Sequence, residues 1–169
     1  MSRLDWKRGR FSVDFEQNEI NSGLRGRQGE TGDSVDWYRF DSEASVMDDI
    51  YDEGTGTGKA YRGPFVVPML HVVREEGSNE NTDTGTYWND SVHATASFDQ
   101  LRRAGFTFLD LDHQNYLKDR FVYDDRVFRV TRLEVLGQIK KRDVIVSIDA
   151  TQVKGDELTN DAQFKRWSA

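Results

Sequence analysis

The stretch from Lys118 to Lys154, KDRFVYDDRVFRVTRLEVLGQIKKRDVIVSIDATQVK, constrains the fold more than any other part of the chain. Phe121, Val122 and Tyr123 lead into Asp124-Asp125, and Val127, Phe128 and Val130 lead out, all residue types that suit a pleated surface. Two turn-forming residues between such runs predict a hairpin. Val144, Val146, Ile148 and Ala150 then alternate with Ile145, Ser147 and Asp149, the period of a half-buried strand. Phe128 and Val130 share one parity, whereas Leu133 and Val135 take the other. One extra residue near Thr131-Arg132, a bulge, reconciles them, because it flips every later side chain.

A chain of 169 residues suits one domain. Its 36% hydrophobic content and mean hydropathy of -0.76 are too polar for one fully packed globule of that length. Ten Phe, six Tyr and four Trp nevertheless supply apolar surface for a core. The fold class expected is mainly β: a small β-barrel or curled antiparallel sheet with one or two short helices and long flexible arms. No apolar run approaches the ~18 residues that span a bilayer, and MSRLDWKRGR has no apolar stretch after its basic residues, unlike a secretory signal. The absence of cysteine excludes a disulfide framework and cysteine-ligated metal, and fits synthesis inside a cell.

A net charge of -7 argues against a general nucleic-acid binder, which needs a basic face to displace counterions. The charge is uneven. Glu30 to Gly58 holds nine acids and one Arg, while Lys118 to Val144 holds eight basic residues and five acids. Such asymmetry suits self-assembly, an acidic part of one copy facing a basic part of the next; two solvated faces are the alternative.

Residues 1–63 read as an N-terminal arm with a short helix. Phe11, Val13 and Phe15 alternate as in a short strand, and Gly23, Gly26, Gly29 and Gly32 punctuate a polar tract expected to be flexible. Trp37 to Phe40 suits another short strand. Asp41 or Ser42 can cap a helix through Tyr51, with Val46, Met47, Ile50 and Tyr51 on one face and Glu43, Asp48, Asp49 and Asp52 on the other. Residues 64–154 are the expected β-barrel core. Phe65 to Val73 is apolar at both parities, as in a strand covered on both sides, with Pro68 marking an edge or bulge. Its expected antiparallel partner is Tyr87 to Phe98, which would set His71 opposite His93. Between them Gly77 to Thr86 is a polar loop longer than a hairpin needs. Ser97 and Gln100 have capping-box spacing, and Gly105 is a natural stop for a two-turn helix. Residues 155–169 read as a polar C-terminal tail with Phe164 and Trp167 as exposed anchors.

The chemical motifs fail on context. Gly54 to Lys59 imitates a phosphate loop, yet Glu53 stands where the first glycine belongs and Ala60 where Ser or Thr must follow the lysine. Asn79, Asn81, Asp83 and Gly85 imitate a calcium loop with the glycine one place late and no closing Glu. Asp110, Asp112 and His113 could bind a metal, but nothing in the sequence gathers further ligands. His71, His93 and His113 have no Cys or Ser nucleophile in motif context. No enzyme, cofactor or metal site is expected. A small metal-dependent enzyme built on the aspartates is the alternative from another class.

The succession Leu117 to Arg120, Phe121 to Tyr123, turn, Val127 to Val130, loop, and Asp143 to Val153 resembles the C-terminal half of head-to-tail connector proteins of long-tailed bacteriophages, in particular the stopper or head-completion proteins. Pro64 to Glu76 and Tyr87 to Gly105 are compatible with the preceding barrel strands. Where members often have Gly in the turn, this chain has Asp124-Asp125-Arg126, and Asp tolerates turn geometry. The first sixty residues have no counterpart. The resemblance implies a small β-barrel that assembles as a ring in the virion neck, between portal or adaptor proteins and the tail terminator or tail tube, after synthesis in the host cytoplasm. Packaged double-stranded DNA would pass through the channel without specific binding. Mapped onto this chain, Ser78, Asn79, Glu80, Asn81 and Asp83 become candidates for a channel-facing loop. Asp48, Asp49, Asp52, Lys140, Lys141, Arg142, Phe164 and Trp167 become candidates for contacts with neighbouring subunits or the adaptor. A tail terminator or other tail or neck ring subunit is the nearest alternative.

Overall fold

The computed structural model describes residues 12–46, 58–77, 79–82, 85–107, 115–139, 142–159 and 161–167. Helix α1 spans Val13–Thr31, and the strands are β1 (Asp33–Asp41), β2 (Ala60–Met69), β3 (His71–Glu75), β4 (Asn79–Thr82), β5 (Gly85–Trp88), β6 (Ser91–Ser97), β7 (Arg120–Tyr123), β8 (Arg126–Ile139) and β9 (Arg142–Gln152). Short helices α2 (Phe98–Arg103) and α3 (Gly155–Thr159) follow β6 and β9. Seven antiparallel strands form one sheet in the order β2-β1-β7-β8-β9-β6-β3, and β4 and β5 pair separately as a ribbon. The fold is mainly β, as the sequence implies.

The two edge strands are consecutive in the chain. β2 runs into β3 through Leu70, whose N–H donates to Thr95 O on β6 at 2.7 Å. The chain thus leaves one edge of the sheet and joins the other, curling the sheet around its contents, but β2 and β3 do not pair and the ladder stays open. It is a curled sheet rather than a closed barrel.

The opening stretch folds as its pattern requires. Asp124 and Asp125 have φ of 50° and 55°, the left-handed pair of a two-residue hairpin turn, between Tyr123 and Arg126. The β8 register slips between Val130 and Arg132, the bulge demanded by the change of parity. Phe128, Val130 and Leu133 are consequently all buried.

Alternate residues of the strands fill one core. Trp37 lies 5.6 Å from Phe121, Phe121 5.6 Å from Phe128, and Phe106 meets the Trp37 edge at 5.0 Å. Around them pack Val35, Val67, Met69, Val92, Ala94, Ala96, Val146, Ile148 and Ala150. The Trp37 indole N–H donates to Asp119 Oδ2 at 3.0 Å, and Phe40 N–H to Asp119 Oδ1 at 2.9 Å, so the indole and this buried carboxylate satisfy each other.

Several expectations are corrected. Val13–Thr31 is a helix, not a flexible tract or a strand of alternating aromatics; Phe11 lies outside the described residues. Ser12 accepts the Phe15 N–H at 3.1 Å as N-cap, and Asp14 and Glu16 suit the positive end of the helix dipole. A Cβ on Gly23, Gly26 or Gly29 would meet nothing within 4 Å, so these residues cost propensity without packing. β1, inside the stretch read as an arm, sits between β2 and β7. Asp41 caps a turn, accepting from Glu43 N–H at 3.2 Å and Ala44 N–H at 3.4 Å; the helix expected onward from there falls mostly outside the described residues. Gly77 to Thr86 is not a bare loop, because β4 and β5 pair from Asn79↔Trp88 to Thr82↔Gly85.

The stretch Phe65 to Val73 is not covered on both sides. Phe65 and Val66 are 36% and 64% exposed, and the chain changes neighbours at Leu70. β3 pairs with β6 as His71↔Thr95 and Val73↔His93, so the two histidines are not opposite each other. The expected helix after Ser97 forms, though Gln100 turns its amide to Gln28 on α1 at 3.1 Å and Ser97 makes no side-chain cap bond.

Candidate functional site

The described residues singled out in the sequence fall on three parts of the fold: a ribbon, a hairpin end and the C-terminal segment. The first is the β4–β5 ribbon. Its feet are fixed by a buried carboxylate that sequence reasoning missed. Asp90 Oδ1 accepts Gly77 N–H at 3.2 Å, its Oδ2 lies 3.2 Å from Arg74 Nε, and Arg126 Nη1 donates to the same oxygen. The Asp90 carbonyl accepts Gln152 N–H at 2.8 Å. A Cβ on Gly77 would lie 1.8 Å from Asn89 O, so only glycine lets the feet touch. The sequence signal was Asp90 standing between an aromatic pair and a clean alternation.

The second is the β8–β9 hairpin tip. β6 and β9 pair from Ser91↔Thr151 at one end to Ser97↔Ile145 at the other. The ribbon precedes Ser91, and the paired ends Ile139 and Arg142 lie beyond Ile145. Ribbon and tip therefore leave the sheet at opposite ends. Of the channel-facing candidates, Asn79, Glu80 and Asn81 sit on β4 opposite Trp88, Tyr87 and Thr86, whereas Ser78 and Asp83 lie outside the described residues. Of the contact candidates, Arg142 donates from Nη1 to Asp14 Oδ1 and to Gln17 Oε1, each at 2.7 Å, holding α1 against the hairpin. Asp48, Asp49, Asp52, Lys140 and Lys141 lie outside the described residues.

The third is the C-terminal segment, which proves to be no free tail. Tyr38, Tyr61, Val122 and Val127 point away from the main core and form a second apolar cluster with Val153, Leu158 and Phe164. Phe164 is 0% exposed, its ring 4.9 Å from Tyr38 and 5.1 Å from Tyr61, so it is not an exposed anchor. Trp167 is half-buried against it at 5.8 Å under the Arg166 guanidinium. The physical reason is that strands apolar at both parities need a cover on their second face. Arg120, 1% exposed, ties that cover down: Nη1 donates to Asp161 Oδ2 at 2.5 Å and Nη2 to Glu157 Oε1 at 2.9 Å. Its guanidinium also lies 5.0 Å from the Tyr61 ring and 5.2 Å from Phe164.

Titration is perturbed where burial or pairing requires it. Burial raises the Tyr61 hydroxyl above its ordinary range, with the nearby Arg120 charge opposing. The Arg62 guanidinium at 2.6 Å holds the Asp41 carboxyl below the usual carboxylate range. Hydrogen bonding to Asp33 at 2.7 Å raises Tyr123. His93 Nδ1 lies 2.5 Å from Asp149 Oδ1 as a cross-strand pair. Among the described residues no group of three or more His, Asp or Glu is placed to hold a metal ion, and Asp110, Asp112 and His113 lie outside them.

No family model matches the sequence, and no curated protein matches it. Among solved structures, a chain of a "Virion of native gene transfer agent (GTA) particle" is similar at 13% identity, covering 72% of this chain and 94% of that one with a TM-score of 0.43. A superposition of that depth assigns neither a family nor a role.

Proposed function

We propose that the chain is a structural virion protein, a head-to-tail stopper that assembles as a ring in the phage neck, bridges portal or adaptor to tail, and helps retain packaged DNA. The observation that supports it most is the arrangement of the stretch from Leu117 to Val153. That stretch is the β7–β8 hairpin followed by β9, three adjacent strands inside one open sheet, and the β4–β5 ribbon and the β8–β9 end leave that sheet at opposite ends. In the sequence, Ser78 to Thr86 carries Glu80 and Asp83 with no Lys or Arg, whereas Lys140, Lys141 and Arg142 stand between the bulk of β8 and of β9. Opposite charge at opposite ends favours head-to-tail contact between copies, and such contacts close into a ring when the rotation between neighbours does. An acidic ribbon facing the channel would repel phosphate and keep DNA sliding. Asp48, Asp49 and Asp52 would meet a neighbour or the adaptor.

Replacing Ser78–Trp88 with a two-residue Asn-Gly turn tests the ribbon's part. The expected result is a single cooperative unfolding transition, as in the full chain, together with particles that lose DNA or infectivity. Full, infectious particles would overturn the channel assignment.

A further inference from the structure

We propose that the C-terminal segment Val153–Trp167 is a strap that seals the outer edge of β2 with side chains in place of a strand, and so keeps that edge closed to a second copy of this chain. The proposal does not depend on the neck reading. β2 terminates the sheet, and an unpaired edge of its length templates strand addition. Here the first part of the edge is already occupied. Lys59 N–H donates to Asp161 Oδ1 at 3.0 Å. Two residues on, Tyr61 N–H donates to Gln163 Oε1 at 2.9 Å, and Gln163 Nε2 donates back to Tyr61 O at 2.7 Å. A side-chain amide thus reproduces both halves of a backbone ladder bond, with the two-residue step of a strand on each side.

The rest of β2 is blunted in another way. Between Trp37 and Arg39 the β1 register advances two residues while β2 advances three, from Phe65 to Arg62. Gly63 occupies this bulge at φ 137°, where a Cβ would lie 2.7 Å from Trp37 O. Pro64 and Pro68, on either side of the exposed Phe65-Val66 pair, have no N–H to offer a partner. Sealed at Lys59 and Tyr61 and blunted beyond, the edge is open only when the strap lifts. Asp161 couples the two functions of the strap, since one oxygen seals the edge and the other binds buried Arg120. Lifting it bares the edge groups and the apolar site of Phe164 together. The occupant that fits both is the same edge of another copy, which brings backbone donors and acceptors and its own Tyr61.

The test uses two variants. In full-length Gln163→Ala, the Tyr61 amide should exchange with deuterium roughly tenfold faster, the scale of one lost hydrogen bond, while the Phe121 amide on β7 keeps its rate. A chain ending at Thr159 should sediment as a larger, concentration-dependent species than the full chain, and a peptide of residues 160–169 added in trans should reverse the shift. The proposal is overturned if the Tyr61 amide stays equally protected in Gln163→Ala. It is equally overturned if the shortened chain sediments as the full one does. Should the shortened chain fail to fold, the exchange rate in Gln163→Ala decides alone.

Discussion

The outer face of the sheet divides into a half that is covered and a half that is bare, and each half wrote itself differently into the sequence. On β1, the start of β2, β7 and the start of β8 the outward residues include Tyr38, Tyr61, Val122 and Val127, which pack against the C-terminal strap, while Val66 farther along β2 stays 64% exposed. On β3, β6 and β9 the outward residues include His71, Val73, His93, Thr95, Ser147 and Asp149, which are exposed or half-buried. Covered strands are apolar at both parities, as in Trp37-Tyr38, Phe121-Val122 and Val127-Phe128. Bare strands alternate, as in Val92 to Ala96 and Val144 to Ala150. In the first three runs a double parity marks a pair covered on both sides, the cover coming from residues 153–167, whereas Phe65-Val66-Val67 on β2 shows the same parity with its outer side exposed.

The contrast breaks most readily at Phe164. Phe164→Ala should cost about 3–5 kcal/mol, whereas Thr95→Ala on the bare half should stay within about 0.5 kcal/mol; chemical denaturation of both variants measures the gap. Equal losses would dissolve the distinction. Next comes the charge that anchors the strap. Arg120→Ala leaves Asp161, itself 3% exposed at the side chain, as an unpaired buried carboxylate and should cost about 3–5 kcal/mol. Arg132→Ala removes the exposed pair with Glu134 and should cost at most about 1 kcal/mol by the same denaturation. The smallest effect is alkaline. The Tyr61 hydroxyl is raised in the folded chain, so its contribution is whole below the ordinary tyrosine value of 10.0 and is lost as pH rises through the raised value. Tyr61→Phe should flatten the fall in stability above that pH, with Tyr38, raised by burial, and Tyr123, raised by its hydrogen bond to Asp33, supplying what remains. A pH profile of thermal unfolding reads it, and an unchanged alkaline limb would place the hydroxyl in water.

How much was legible follows from the same physics. The β7–β8 hairpin, its bulge at Thr131 and the faces of β6 and β9 could be read because period and turn chemistry are local properties. Helix α1 could not, because its inward positions Gln17, Asn21, Leu24 and Gln28 are polar but for Leu24 and its outward ones include three glycines, so no apolar stripe marks it. The strap was missed because Asp161 and Gln163 act on residues 102 positions earlier, and no local pattern encodes that distance. Asp90, the fastener of the ribbon, likewise meets Arg126 only through the fold. Of the surface candidates, Arg142 meets Asp14 and Gln17 of its own chain, partners that lie more than a hundred residues away and that no local pattern announces.

Single-particle electron cryo-microscopy of the purified chain at assembling concentration tests the central claim most directly. The account predicts a closed ring in which neighbours meet across the β4–β5 ribbon and the β8–β9 tip, with Phe164 buried inside each subunit. A chain that stays monomeric would contradict the ring, and a ring joined along β2 with the strap displaced would contradict the division of the sheet into a covered and a bare half.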